Sequence, residues 1–543
     1  MKISKSYSDI FKFILFSIGL VCLACQDINH LGAGYNPKAQ VIKTEQITGT
    51  DYNRIIYVSG NDSVNSADGS KEKPYHSIEQ AVSQIESAST ENKAAVFVAK
   101  GLYSGETILL KKYVDIYGGF ESKGWIRDIE KYQTTLSGDE QRRILIAVDS
   151  AVVDGFYFTD GVIRGKGAAV YCDGTSPIIS NNIFFGNKTL GPENWNPKYW
   201  HETAHDGGAI HGQNGASPLI RNNIFVNNKT ENGRGAAVSF DGQCKPVIKE
   251  NVFFSNIAGL KDPMRSSDGG AINIFNWSDA LIDGNMFISN RAESKNDGGA
   301  VFIALWSSAR VTNNIFVDNH SGDDAGALFV GGQEHRYDAP LDPIPVKDKF
   351  FVSITNNTFI GNHHGGTNSG AMRFTMESRG EFIGNVLAHN NGVYFQRSEV
   401  HIADNIILDN FLFIETKAGL DMGIIENNLL WAAYDQQVEA DVKNNNMLYP
   451  LEGNGNYHKT PHFVNDGIEI TSLSTNYKRK DYSTLVNLNN FNFVNNQLVG
   501  RVVKAGRKWG VIKSNTASTI TLWGDFAGLV NFTILPTYTL INK

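Results

Sequence analysis

Three stretches of this chain share a phrase in which Asp precedes Gly-Gly-Ala. They are DGGAIHGQNGASPLIRNNIF from Asp206, DGGAINIFNWSDALIDGNMF from Asp268 and DGGAVFIALWSSARVTNNIF from Asp297. A weaker relative, GAAVYCDGTSPIISNNIF, starts at Gly167. A unit this short cannot enclose a core, so the copies must bury their apolar faces against one another. An Asn before an apolar pair recurs at Asn182, Asn223, Asn251, Asn285, Asn314, Asn357, Asn385, Asn405 and Asn428, at intervals of 20 to 43 residues. A constant phrase at unequal intervals describes a common coil with insertions of different length at its corners.

Within the phrase, residues alternate. Ile210, Val238, Ile272, Val301, Leu328 and Met372 form one inward column. Gly212, Phe240, Ile274, Ile303, Val330 and Phe374 form a second, and Cys172 falls in it as a small packed hydrophobe. The same period of two sends His211, Ser239, Asn273, Phe302, Phe329 and Arg373 outward, followed by Gln213, Asp241, Phe275, Ala304, Gly331 and Thr375. The expected fold is all-β: a right-handed, single-stranded parallel β-helix whose coils stack about 4.8 Å apart, with the repeated Asn forming an internal ladder. Segments between the phrases lack the apolar spacing of amphipathic helices, which argues against helical repeats.

Four regions follow. Residues 1–25 read as a signal peptide: Lys2 and Lys5 precede an apolar stretch over residues 11–24 that ends at Cys25. This resembles a bacterial lipoprotein signal, which implies lipidation of Cys25, export and anchoring at the outer membrane; ordinary secretory cleavage is the alternative. Residues 26–150 are a linker and an N-terminal cap, with strands over 54–58, 94–99 and 114–117 and a helix over 77–85. Residues 151–464 carry the repeats. Residues 465–543 form a C-terminal β-rich region, either a small separate domain or a plug on the stack, in which burial is the expected role of Trp509 and Trp523. With Cys25 and Cys22 in the signal, only Cys172 and Cys244 remain, too few for a disulfide framework. A net charge of −7 over 543 residues, without a Lys/Arg run, argues against a nucleic-acid partner. A monomer is expected.

Candidate chemistry gathers around the outward face of the phrase. The insertion over residues 187–205 carries Trp195, Tyr199, Trp200, His201 and His205, and a second over 255–267 carries Lys261 and Arg265. Both precede a Gly-Gly-Ala strand. A third insertion over 332–349, with Glu334, His335 and Arg336, leaves its other end. Together they would border a groove, with Trp195, Trp200, His201 and Phe302 as substrate contacts and aromatic faces for sugar rings. Inside it, Asp206, Asp268, Asp297 and Asp324 share one offset. Adjacent members would stand about 5 Å apart, and members two coils apart suit the wider spacing of about 6.5–9.5 Å. Such carboxylates can hold a shared proton for catalysis, bind calcium through Asp206, Asp268 and Asp297, or simply accept backbone N–H bonds at a turn. His211, near Asp241 of the next coil, is a candidate proton-transfer group. Arg373 and Arg397 are candidates for pairing with an anionic sugar.

The segments YVSGND from Tyr57, VFVAKGLY from Val96 and IYGGF from Ile116, with GGAI and SPLIRNNIF in the repeats, resemble the secreted right-handed β-helix proteins of the pectate-lyase-like superfamily. The resemblance covers about residues 52–464. It implies a carbohydrate-active exported protein acting on polysaccharide. Asp268, Asp297 and Asp324 look like the clustered Asp of its hydrolases, while His211, Arg373 and Arg397 look like the basic groups of its lyases, which work with or without calcium. A non-catalytic glycan-binding or scaffold protein is the third expectation. Of these, the acidic column favours a glycoside hydrolase.

Overall fold

The computed structural model describes residues 47 and 49–538, apart from 61–65, 194–204, 262–266, 333–349, 367–369, 391, 409–410, 416–423, 433–435, 438, 444–454, 457–462 and 464–466. Among the described residues the chain is almost entirely β. It winds into a right-handed parallel β-helix made of three long sheets of 13, 12 and 13 strands and a narrow seven-stranded one at a corner. The Gly-Gly-Ala strands, such as Ile210–Gln213 and Ile272–Phe275, line up in the 12-stranded sheet, here called the DGGA sheet. Strands such as Leu219–Arg221 and then Ile224–Val226 follow in each coil, and they build the two 13-stranded sheets.

Register matches the columns read from sequence: Ile210 pairs with Val238, Val238 with Ile272, Ile272 with Val301, Val301 with Leu328 and Leu328 with Met372. The Gly-Gly pair is dictated by the turn into this sheet. Gly269 and Gly298 lie at φ 71° and 65°, in the left-handed region. A Cβ on Gly270 would stand 2.0 Å from the carbonyl oxygen of Gly299 on the next coil. The phrase is therefore a steric requirement of stacking.

The Asn ladder is present and runs the length of the stack. The Asn285 Oδ1 accepts the backbone N–H and the side-chain amide of Asn251, at 2.9 and 3.0 Å, and its own amide donates to the carbonyl of Ile248. A second ladder, unforeseen from sequence, runs five residues later through Asn187, Asn228, Asn256, Asn290, Asn319, Asn362 and Asn390. Between the ladders, Phe158, Phe184, Phe225, Phe253, Phe287, Phe316 and Phe359 stack ring on ring at 4.7–4.9 Å. Each ladder turns the polar corner of a coil into a satisfied part of the interior.

The helix expected near the N-terminus spans Ile78–Ser83 and begins where the Ser77 side chain accepts from Gln80 N–H. Its Ile78, Ala81 and Val82 join the main core beside Val58 and Val96. Cys172 and Cys244 are buried free thiols. Among the described residues no helix is long and apolar enough to cross a membrane.

Strands Ile468–Lys478, Ser483–Leu488, Val502–Ala505, Lys508–Asn515, Thr519–Trp523 and Asn531–Ile534 close into an antiparallel barrel. The barrel has a core of its own, including Val486, Val503, Ile512 and Leu522. It lies against the flank of the β-helix: Trp509, Val511, Trp523 and Tyr482 join Val226, Ile288, Val317 and Ile360 in one apolar cluster. The ring of Tyr482 stacks on Phe185, and its hydroxyl meets that of Tyr157 at 2.8 Å. The region expected as a small separate domain or a plug on the stack is thus a barrel docked on a side of the β-helix. Trp509 and Trp523 are buried as expected.

Candidate functional site

The outer face of the DGGA sheet collects the singled-out residues, and their surroundings differ from a simple open groove. The outward column reads Tyr171, His211, Ser239, Asn273, Phe302, Phe329, Arg373, Tyr394 in exact register. The direction is as expected, but the column is covered: His211, Ser239 and Asn273 are fully buried, and Phe302 and Phe329 nearly so. Phe302 stacks with Phe275 on one side and Phe329 on the other, at 6.4 and 5.0 Å. Phe302 therefore packs a small apolar island with Ala304 and Ala325 and offers no open ring to a sugar, a correction to its expected role.

The acidic column is also engaged. Asp206 is buried against Arg234 of the next coil, which sits at the same offset. Asp206 Oδ1 accepts Arg234 N–H at 2.8 Å and Oδ2 accepts from Nη2 at 2.9 Å. Burial alone would raise the Asp206 carboxyl, but Arg234, helped by Lys166, holds it below the ordinary value. Asp268 Oδ1 accepts the N–H of Asp297 at 2.8 Å, and Asp297 Oδ1 that of Asp324 at 3.0 Å. Asp324 ion-pairs with Arg373, whose guanidinium also reaches Gln396. Asp206, Asp268 and Asp297 thus work as rungs of a third ladder, each accepting a backbone N–H from the coil after it. Among the described residues no group of three or more His, Cys, Asp or Glu is placed to hold a metal ion. Arg397 lies one residue beyond the strand Val393–Gln396, in a turn at φ 49°, while Tyr394 takes the place beside Arg373.

Against this background of satisfied groups, one patch stands out. His211 is buried, and neither ring nitrogen makes a hydrogen bond of normal geometry, although the Gln213 side chain acts on the ring. Arg234 Nη1, Asp241 Oδ1 and Asn273 Oδ1 also make none. These residues lie on three successive coils: Ser239, in the strand that leads to Asp241, pairs with both His211 and Asn273. A buried polar atom without a hydrogen bond costs about 1–3 kcal/mol, so a cluster of them sets this patch apart from the satisfied ladders. Burial, reinforced by Lys166, pushes the His211 imidazole down to about 3, against the pull of Asp206, so the ring is neutral at physiological pH. The Arg234 guanidinium packs 4.0 Å from the Phe275 ring centre. Burial works against its charge, but Asp206, Asp241 and Asp268 together raise its pKa. Lys166 reaches to 3.9 Å from Asp241 Oδ2.

Sequence reasoning missed Lys166 and Arg234 as members of this site, although both sit at the Asp offset before a small-residue pair. It also missed Glu231, whose carboxylate binds Lys188 at 2.6 Å and Lys261 at 2.9 Å and ties two insertions to one wall. The charge break in an acidic column was the available signal. His205 is held by its ring contact to the Leu190 carbonyl and by its N–H bond to Asn232. Trp195, Tyr199, Trp200, His201, Arg265, Glu334, His335 and Arg336 lie outside the described residues, as does Cys25.

The family described as "Protein of unknown function (DUF1565)" matches residues 58–334, more than half of the chain. No curated protein matches. Among solved structures, the chain is similar to the tailspike protein of E. coli bacteriophage HK620 in complex with pentasaccharide. The identity is 12%, over 88% of this chain and 93% of that one, with a TM-score of 0.35. The tailspike protein gp49 from Acinetobacter baumannii bacteriophage Fri1, a capsular polysaccharide depolymerase, aligns at 10% identity over 90% and 87%, with a TM-score of 0.23. The GH136 lacto-N-biosidase from Eubacterium ramulus aligns at 10% identity over 72% and 67%, with a TM-score of 0.29.

Proposed function

The chain belongs to the DUF1565 family, and we propose that it is an exported protein that binds and cleaves polysaccharide on the outer face of its DGGA sheet. The observation that carries this reading is the cluster of buried atoms without a hydrogen bond of normal geometry on His211, Arg234, Asp241 and Asn273. A sugar chain supplies what these atoms lack: hydroxyl groups that both donate and accept, presented at close intervals. Hydrolysis is the reaction the acidic groups suit. Asp241 keeps one carboxylate oxygen unengaged, and both it and Asp268 lie within electrostatic reach of Arg234. Two carboxylates flanking a glycosidic bond supply the acid and the base or nucleophile of such a cleavage. Asp206, Asp297 and Asp324 hold the wall.

A second reading, eliminative cleavage of a uronate chain, rests on one feature. His211 is a neutral imidazole close to the cations Lys166 and Arg234. A uronate carboxylate bound there would be neutralised by those cations and would in turn raise the imidazole toward a useful basicity. Anchoring through a lipidated Cys25 belongs to the same proposal, and Cys25→Ser should move the protein from the membrane fraction to the soluble one.

The purified protein is to be screened against laminarin and xylan as neutral chains and against polygalacturonate and alginate as uronate chains, with and without a chelator. New reducing ends without ultraviolet-absorbing products are expected, and Asp241→Asn should lower turnover at least a hundredfold. Unsaturated products that vanish in His211→Ala would establish elimination instead. A folded protein that neither binds nor cuts any of the four chains would sink both readings.

A further inference from the structure

At the corner where five of the coils leave the DGGA sheet, the backbone passes through two successive residues with positive φ. The pairs are Asn214 and Gly215 (55° and 81°), Gly242 and Gln243 (81° and 59°), Asn276 and Trp277 (54° and 64°), Leu305 and Trp306 (48° and 57°), and Met376 and Glu377 (56° and 61°). Such a turn favours Asn-Gly, as the first of these coils has. Bulky residues at positive φ are strained outliers. Trp306 offsets that strain by packing: it is 7% exposed, with the Phe350 ring edge-on at 4.9 Å. Trp277 does not. It is 39% exposed, and its ring lies 6.3 Å from Trp306 at a tilt of 34°.

The position of Trp277 gives the strain a meaning. Asp241 pairs in register with Phe275, two residues before Trp277, and Gln243 N–H donates to the Asn276 carbonyl at 3.0 Å. Trp277 therefore sits at the end of the strand beside the one that carries Asp241, one coil along the stack, with its ring partly exposed. A glycan seated at the Asp241 cluster and continuing toward Trp277 would meet an aromatic face there, which takes up the apolar side of a sugar ring.

We propose that Trp277 is a sugar-stacking subsite next to the Asp241 cluster, which gripping a longer glycan requires and a short one does not. This rests on the polysaccharide reading above. The test compares Trp277→Gly and Trp277→Phe with the wild-type chain, using short and long oligosaccharides of laminarin, xylan, polygalacturonate and alginate. Binding is followed by calorimetry and stability by thermal unfolding.

Trp277→Gly should lose about tenfold in affinity for the long oligosaccharide while the short one is unaffected. Its melting temperature should equal or exceed that of the wild type, since glycine relieves the left-handed strain. Trp277→Phe should keep most of the affinity. Long-chain affinity within twofold of wild type in Trp277→Gly, or a clear loss of its stability, would overturn the subsite and make Trp277 a packing residue. Wild-type protein that binds none of the oligosaccharides would instead remove the polysaccharide reading, and the subsite with it.

Discussion

Two outer faces of the same β-helix are both buried, by opposite means. On the sheet that carries Ile224–Val226, the outward side chains Val226, Ile288, Val317 and Ile360 are apolar, and the barrel residues Trp509, Val511 and Trp523 cover them. On the DGGA sheet the outward side chains include His211, Ser239 and Asn273, and His211 and Asn273 keep buried polar atoms without a hydrogen bond of normal geometry. Burying apolar surface stabilises, at about 25 cal/mol per Å². Burying a polar atom without a partner costs stability. The first face is thus covered by apolar packing, whereas the second carries polar groups under cover.

The contrast can be broken most forcefully by removing the anchor of each face. Trp509→Ala should cost about 3–5 kcal/mol through a cavity at the barrel contact, and barrel and helix should then unfold in separate transitions. Asp206→Ala should cost a similar amount, about 3–5 kcal/mol, because Arg234 would be left buried and uncompensated. Denaturant titration with probes in both domains checks the pair. Equal, single transitions after Trp509→Ala would mean that the apolar cluster does not hold the barrel.

A smaller effect of opposite sign sharpens the comparison. His211→Leu removes two buried nitrogens without a hydrogen bond of normal geometry and should leave stability unchanged or raise it by about 1 kcal/mol, while turnover or binding is lost. The pH dependence has a definite sign. The folded imidazole titrates at about 3 rather than the ordinary 6.5, so the unfolded chain takes up the proton first. Stability from this group is complete above about pH 6.5 and falls as pH drops toward 3. In His211→Leu the slope of stability against pH over that window should be shallower; an unchanged slope would mean that the ring is not buried as described.

Much of the architecture was legible because stacking imposes local demands on residue type. The left-handed turn at Gly269 and the close approach at Gly270 admit only small residues, so the phrase had to repeat. The Asn at each corner had to repeat because its amide fills both donor and acceptor roles between coils. The barrel contact was harder to read. In NIFV and NVFF both faces of a strand are apolar, a signature of a sheet buried on both sides, but nothing local says what covers it. The acidic column was only partly legible for a related reason. An Asp that accepts a backbone N–H from the next coil and one that does not look alike in sequence, and only the stacked coils separate Asp297 from Asp241.

Sequence alone determined the coil, its inward and outward columns and the residues that could meet on one face, since a period of two and a fixed register leave no freedom. Tertiary structure decided which of those residues are already occupied. Arg234 closes on Asp206, Asp297 and Asp324 offer their N–H groups to the preceding carboxylates, and His211, Asp241 and Asn273 are left with buried atoms that make no hydrogen bond of normal geometry. Occupancy depends on three-dimensional neighbours tens of residues apart in the chain, and no local pattern encodes it.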